Sequence, residues 1–293
     1  MKILLTGRSG QIGYELERSL QGLGEIVALD LAQMDLADPD SVRNVIRHIR
    51  PDLIVNPAAY TAVDQAESEA GLALRINGEA PGVMAEEAKK LGAAMIHYST
   101  DYVFDGSKSG PYTEDDVPNP VNAYGRSKLA GERAIAASGI PHLIFRTSWV
   151  YGMRGKNFLL TVQRLARECD ELRIVDDQHG APTWCRTVAD TTAHVVASLC
   201  AGDNNLGIDQ NLWRAKSGVY HLTAQGQTTW YGFAQTIVAH KSTHRKPVVT
   251  PIETQEYPLP AKRPSNSVLS CERLMRTFCR LPAWDNALRL CLE

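Results

Sequence analysis

"KILLTGRSGQIGYEL", residues 2 to 16, decides the fold. Its first five residues form an apolar run of strand length. Gly7, Gly10 and Gly13 follow at the point where helical spacing begins. Glycine lets the chain turn sharply and lets backbone approach a ligand, and the first turn of a helix offers unpaired N–H donors at the positive end of its dipole. A strand, a glycine turn and a helix N-terminus together cradle a pyrophosphate, with Gln11 and Ile12 completing the turn. The spacing is G-x-x-G-x-x-G rather than G-x-G-x-x-G, and simple turn chemistry could also place glycines here. The cradle is favoured by Asp30, which ends the second apolar run, "EIVALD", 17 positions after Gly13.

Outward from this segment the pattern repeats. Apolar runs at 52 to 59, 93 to 100 and 142 to 150 alternate with helix-like segments near 11 to 21, 39 to 49, 77 to 91 and 121 to 137. This alternation predicts an α/β chain with a Rossmann-type, doubly wound parallel sheet. Asn122 is the expected N-cap of the last helix, and Asp38 before Pro39 reads as a cap as well. After residue 150 the alternation loosens and prolines, four of the five tryptophans and all six cysteines collect. The expected division is a dinucleotide-binding domain over 1–150 plus about 186–215, and a smaller substrate-binding lobe from 151–185 and 216–293. "AGDNNLGIDQN" (201 to 211) reads as a surface loop.

Composition narrows the function. The 293 residues carry 31 Lys plus Arg against 33 Asp plus Glu, with no basic block, which argues against nucleic acid as a partner. The cysteines are scattered without a C-x-x-C pair and read as free thiols in a reducing compartment. "MKILLT" lacks the features of a signal peptide, and no run approaches the length of a membrane span, so a cytoplasmic location is expected.

Asp30 is placed to accept hydrogen bonds from an adenosine ribose, which favours NADH and repels the 2′-phosphate of NADPH. Arg8 pulls the other way, since a guanidinium beside the cradle pairs with that phosphate, so the expected cofactor is NADPH or NADH. Asp35 and Leu36 are expected to flank the adenine. Ala58, Ala59 and Tyr60, after the third strand, allow close approach of the cofactor to the backbone.

"NAYGRSKLAGERAI" (122 to 135) sets Tyr124 four residues before Lys128, hence on one helical face. The stripe around them is small: Ala123, Ser127, Ala130, Gly131 and Ala134. A lysine in such a stripe needs a partner, and a ribose hydroxyl supplies one. At about 4 Å and an effective dielectric near 20, its ammonium stabilises a phenolate by up to about 4 kcal/mol, which lowers the phenol by as much as roughly 3 pH units. Tyr124 then serves as proton donor to a carbonyl oxygen held by Thr100, with Ser99 as the alternative.

"TGRSGQIG", "YSTDYVFDG" and "YGRSK" resemble the extended short-chain dehydrogenase/reductase family. More narrowly, "NPAAYTAVDQAE", "STDYVFDG", "HLIFRTSWVYG", "DDQHGAPT" and "RPSNSVL" resemble the dTDP-4-dehydrorhamnose reductase family. The resemblance implies reduction of the C4 ketone of a dTDP-linked deoxysugar, dTDP-4-dehydro-L-rhamnose, by a reduced nicotinamide cofactor, with Tyr124, Lys128 and Thr100 catalytic. Related dehydratases carry Thr-Asp-Glu where this chain has Thr100, Asp101 and Tyr102, so elimination is disfavoured. Asp101 is expected either to touch substrate or to cap the following turn.

Trp149 stands at the carboxyl edge of the sheet, where ligands of open α/β folds bind, or packs between the lobes. Asn157 and residues 178 to 182 resemble substrate-lobe segments and also suit structural turns. Lys262 and Arg263 are candidates for the substrate diphosphate or a solvated surface pair. Some members of the resembled family are magnesium-dependent homodimers with acidic side chains on the first helix and in the C-terminal lobe. Glu15 matches, but Arg186 stands where those members carry glutamate, so no metal is expected and a homodimer is left open. Two other readings stay in view: a non-catalytic regulatory subunit resembling that of methionine adenosyltransferase, and a nucleotide-sugar epimerase.

Overall fold

The computed structural model describes residues 1–200, 207–240 and 246–293. Strands and helices alternate through the first half: β1 (Lys2–Thr6), α1 (Gln11–Ser19), β2 (Glu25–Leu29), α2 (Pro39–Ile49) and β3 (Leu53–Asn56). They continue through α3 (Ala70–Leu74), α4 (Ala80–Leu91), β4 (Ala94–Thr100), α5 (Ala123–Ser138) and β5 (His142–Thr147). The second half holds β6 (Val150–Tyr151), α6 (Phe158–Glu168), β7 (Glu171–Val175), β8 (His179–Gly180), β9 (Thr183–Trp184) and α7 (Cys185–Ser198). After these come α8 (Gln210–Lys216), β10 (Gly218–His221), β11 (Thr228–Thr229), α9 (Trp230–Ala239), β12 (Val248–Ile252), α10 (Glu272–Thr277) and α11 (Trp284–Leu292).

Six strands make one parallel sheet in the order β10-β5-β4-β3-β1-β2. The strands read as unbroken apolar runs because both faces are covered. Ile3 and Leu5 point to the face packed by α1 and α7, whereas Leu4 points to the face packed by α2 and α4. The chain steps from β1 to β2 on one side and to β3 on the other, so a crevice opens at the carboxyl edge where the order reverses.

A second core, built on Tyr151, Leu159, Val162, Phe233, Ile237 and Leu288, organises the smaller lobe. The expected boundary needs correction here. β10 pairs with β5, and Cys271, Leu274 and Leu281 pack on the main sheet, so parts of 216–293 belong to the larger unit. The loop expected over 201 to 211 falls partly outside the described residues; Gln210 and Asn211 begin α8, which Asp209 caps by accepting from the Asn211 and Leu212 N–H groups.

The helix expected over 77 to 91 is also interrupted. A π-helical turn, Arg75–Glu79, joins α3 to α4 and carries the buried Asn77. Its amide bonds both the N–H and the carbonyl of Tyr60 and donates to the Ser127 hydroxyl, fastening the chain after β3 to α5. Among the described residues no helix is long and apolar enough to cross a membrane.

Candidate active site

α5 is positioned from its first turn. Asn122 accepts from the Gly125 N–H at 2.7 Å and donates to the Lys262 carbonyl, and Glu67 accepts from the Ala123 N–H. The small stripe lets α5 approach neighbouring backbone closely. A Cβ on Gly125 would overlap the Tyr102 carbonyl oxygen, and one on Gly131 would overlap that of Asn77. This close approach buries Lys128 and brings it into one cavity with Tyr124.

That cavity, of about 900 Å³, lies over the crevice. It is lined by Gly7, Gly10, Gln11, Ile12, Gly13, Asp30, Asp35, Leu36, Ala58, Ala59, Tyr60, Tyr124 and Lys128, all expected to hold cofactor, together with Thr100, Asp101 and Trp149. The cradle fits a dinucleotide pyrophosphate. Gly7 turns at φ +59° against Ala58, and a Cβ on Gly13 would fill the turn by overlapping the Gly7 carbonyl oxygen. Asp30 accepts from the Ser9 N–H and hydroxyl, both at 3.0 Å, so it braces the turn while facing the cavity. Arg8 departs from expectation: its guanidinium meets Glu17 at 3.4 Å instead of lining the cavity.

The electrostatics correct one expectation outright. Burial first, and then the Asp101 carboxylate, push the Tyr124 phenol up to about 12, with the Thr100 hydroxyl pulling the other way. The expected acidification by Lys128 does not dominate, because desolvation penalises a phenolate more than any nearby group compensates. Burial pushes Lys128 itself down to about 8, against the pull of Glu132. That pull is weakened because Arg146 forks onto Glu132, Nη2 to Oε2 at 2.6 Å and Nε to Oε1 at 2.9 Å, inside the protein. Burial likewise raises Asp101 to about 6; its Oδ1 accepts from Thr100 and its Oδ2 has no hydrogen-bond partner of good geometry.

Trp149 adopts φ +46°, rare for a bulky residue, and stacks on Trp230 with ring centroids 3.6 Å apart. Both indoles line the cavity, so Trp149 joins the lobes and faces the ligand space at once. Gly180 makes room for it, since a Cβ there would overlap the indole. Gln178 accepts from the Trp230 indole N–H, so the 178 to 182 segment acts by placing the tryptophans.

Two other expected substrate residues are spent internally. Asn157 caps α6 by accepting from the Leu160 N–H, and it donates to Gln11 Oε1 at 2.8 Å and to the carbonyls of Gly152 and Arg154. It braces the cradle from outside the lining. Arg263 forks onto Asp64 with two contacts of 2.7 Å and also bonds the Ala261 carbonyl. Arg186 pairs with Asp190 at 3.6 Å. Sequence reading missed Trp230 and His97; the signal for the latter was a lone histidine inside the otherwise apolar "AAMIHY" strand.

Comparisons with known proteins place the whole chain in a family. The family model described as RmlD substrate binding domain matches residues 1–293. A dTDP-4-dehydrorhamnose reductase of Burkholderia thailandensis is 50% identical over 300 residues, covering 100% of this chain and 98% of the relative. The crystal structure of a dTDP-4-dehydrorhamnose reductase from Clostridium acetobutylicum superposes with a TM-score of 0.89 at 37% identity, covering 100% of this chain and 98% of the other. That of the Bacillus anthracis reductase, in complex with NADP, gives 0.87 at 33% identity, covering 99% and 98%. Matched over its full length by the family model and 50% identical to a relative that it covers almost completely, this chain belongs to the dTDP-4-dehydrorhamnose reductase family.

Proposed function

We propose that this chain reduces the C4 ketone of dTDP-4-dehydro-L-rhamnose to give dTDP-L-rhamnose, using NADPH or NADH. The observation that carries this reading is the convergence of Thr100, Tyr124 and Lys128 with the glycine cradle in a single cavity. The nicotinamide, when bound, supplies the hydride that reduces the carbonyl carbon. Tyr124 gives its proton to the carbonyl oxygen as charge develops there, and the Thr100 hydroxyl orients that oxygen. Lys128 holds the ribose and stabilises the phenolate that Tyr124 leaves behind. Burial keeps Tyr124 protonated beforehand, which suits a donor, since an alkoxide is a far stronger base than a phenolate.

Asp101, with Trp149 and Trp230, forms the wall on which the sugar rests. Arg263 reaches a substrate diphosphate only by leaving Asp64. The lobe built on the Tyr151 and Phe233 core serves as the substrate-binding unit, with Asn157 bracing it against the cradle.

The test is oxidation of reduced cofactor at 340 nm with enzymatically generated dTDP-4-dehydro-L-rhamnose, on wild type and Tyr124→Phe. Steady turnover by wild type and a loss of about 100-fold or more in the variant are expected. Equal rates remove Tyr124 from the mechanism. Cofactor binding without turnover in wild type selects the regulatory reading, and turnover of the sugar without net cofactor consumption selects an epimerase.

A further inference from the structure

Four buried side chains run in line from α5 to the phosphate cradle. Lys128 Nζ lies 3.3 Å from His97 Nε2, and His97 Nδ1 lies 3.1 Å from the Asn56 amide nitrogen. Asn56 Oδ1 accepts from the Thr6 hydroxyl at 2.7 Å, and Thr6 Oγ1 takes the Ala58 N–H at 3.3 Å. Asn56 and His97 are 0% exposed, Thr6 and Lys128 2%. Buried polar groups need assigned partners, and a neutral imidazole offers one donor and one acceptor.

An ammonium only donates, so the charged form of Lys128 requires a bare Nε2 and a proton on Nδ1. Asn56 must then turn its amide oxygen to the ring. The amide nitrogen stands towards Nδ1 here, and a half-turn of the amide exchanges it for the oxygen; in the state that keeps the nitrogen there, Nε2 carries the proton and faces an uncharged amine. The line therefore has two proton states, and the tautomer of His97 reports the charge on Lys128. Burial first, and the Lys128 charge second, hold His97 well below the usual imidazole range, so the ring does not become a cation and acts only by orientation.

We propose that His97 is a positioning residue: its bare Nε2 accepts from Lys128 in the working state and keeps that side chain an ammonium, while Asn56 sets the tautomer and ties it to Thr6 at the cradle. This rests on the reading of Lys128 as partner of the ribose and of Tyr124. The other charged groups of elements packed on α5 are paired elsewhere or exposed. Glu132 is forked by Arg146 from β5, and Glu67 bonds the Ala123 N–H and approaches Arg126. Glu87 holds Arg47 and Lys90, and Lys89 bonds the Ser138 carbonyl. Arg75 and Glu79 of the π turn are exposed, and Asp101 bonds Thr100 beside Tyr124.

The test uses NADH binding and ring nitrogen NMR, neither of which needs the sugar, so it fails separately from the reductase reading. NADH affinity, followed by fluorescence, is expected to weaken in wild type as pH rises through about 8. His97→Leu should move that midpoint down by about one pH unit, the size expected for losing a hydrogen bond to a charged group. His97→Gln, whose amide oxygen still accepts, should restore it. A midpoint that stays put in His97→Leu while only Tm falls, or that moves up, overturns the proposal. In 15N-histidine wild type with NADH at pH 7, the His97 ring, assigned by its loss in His97→Gln, should carry its proton on Nδ1 and move it to Nε2 above the Lys128 titration. An Nε2 proton at pH 7 overturns the proposal even if the leucine variant does not fold.

Discussion

Gly13→Ala is the sharpest test of the cradle. The added Cβ would sit inside the shell of the Gly7 carbonyl oxygen, 2.8 Å from its carbon and 3.2 Å from the Arg8 Cα, all of it backbone that cannot rotate aside. The turn must open by about 1 Å, and a misplacement of that size costs about 100-fold where groups must meet a ligand exactly in register. At 1.4 kcal/mol per tenfold this is about 2.8 kcal/mol of cofactor binding. The fold itself should lose about 1–3 kcal/mol, as overpacked sites do. Fluorescence titration with NADH and NADPH measures the first and urea unfolding the second. Gly22→Ala, where a Cβ meets nothing within 4 Å, is the control and should bind as wild type. Wild-type affinity in a folded Gly13→Ala protein would refute the cradle as the pyrophosphate site.

The other expectations concern buried charge. Lys128 has a pKa depressed from 10.5 to about 8 by burial, so between these values the unfolded chain binds more protons and stability rises with pH. Below pH 8 the buried ammonium costs about 3 kcal/mol, and Lys128→Met should raise Tm at pH 7, less so near pH 10, while abolishing turnover; a lower Tm at pH 7 contradicts this account. Glu132→Gln leaves the Arg146 guanidinium without its counter-ion in the interior and should cost about 3–5 kcal/mol in urea unfolding. A cost below about 1 kcal/mol would place that pair in contact with solvent.

Local rules made much of this molecule readable. The glycine turn, the Asn122 and Asp38 caps and the strand alternation are short-range features, and each appears where the residues put it. What escaped depends on distant partners. Asn157 looked like a ligand residue because its neighbour across the fold, Gln11, is 146 positions away. Arg263 looked available because Asp64 is 199 positions away. β10 carries too few residues to announce that it completes the main sheet, and the break at Asn77 follows from a contact with Ser127 that no helical periodicity encodes. His97 was overlooked because a histidine in an apolar strand signals only that a partner exists, not which one.

The overturned expectation about Tyr124 bears on direction. A phenol at about 12 and an amine at about 8, lining one cavity, both keep their titrating proton through neutral pH, so the working pair is phenol with ammonium. In the proposed mechanism that state donates a proton and keeps a positive charge in the same cavity as the phenolate it creates. The reverse reaction, removing a proton from an alcohol, must start from phenolate, which burial and the Asp101 carboxylate both disfavour. Since Asp101 ionises near 6, raising the pH from 5 to 7 strengthens that bias, and only above about 8 does loss of the Lys128 proton withdraw the charge that stabilises the product side. In the proposed mechanism the ammonium that costs the fold stability is therefore the group that sets the alkaline limit of ketone reduction, and the same burial that raises the phenol keeps it loaded with the proton the ketone needs.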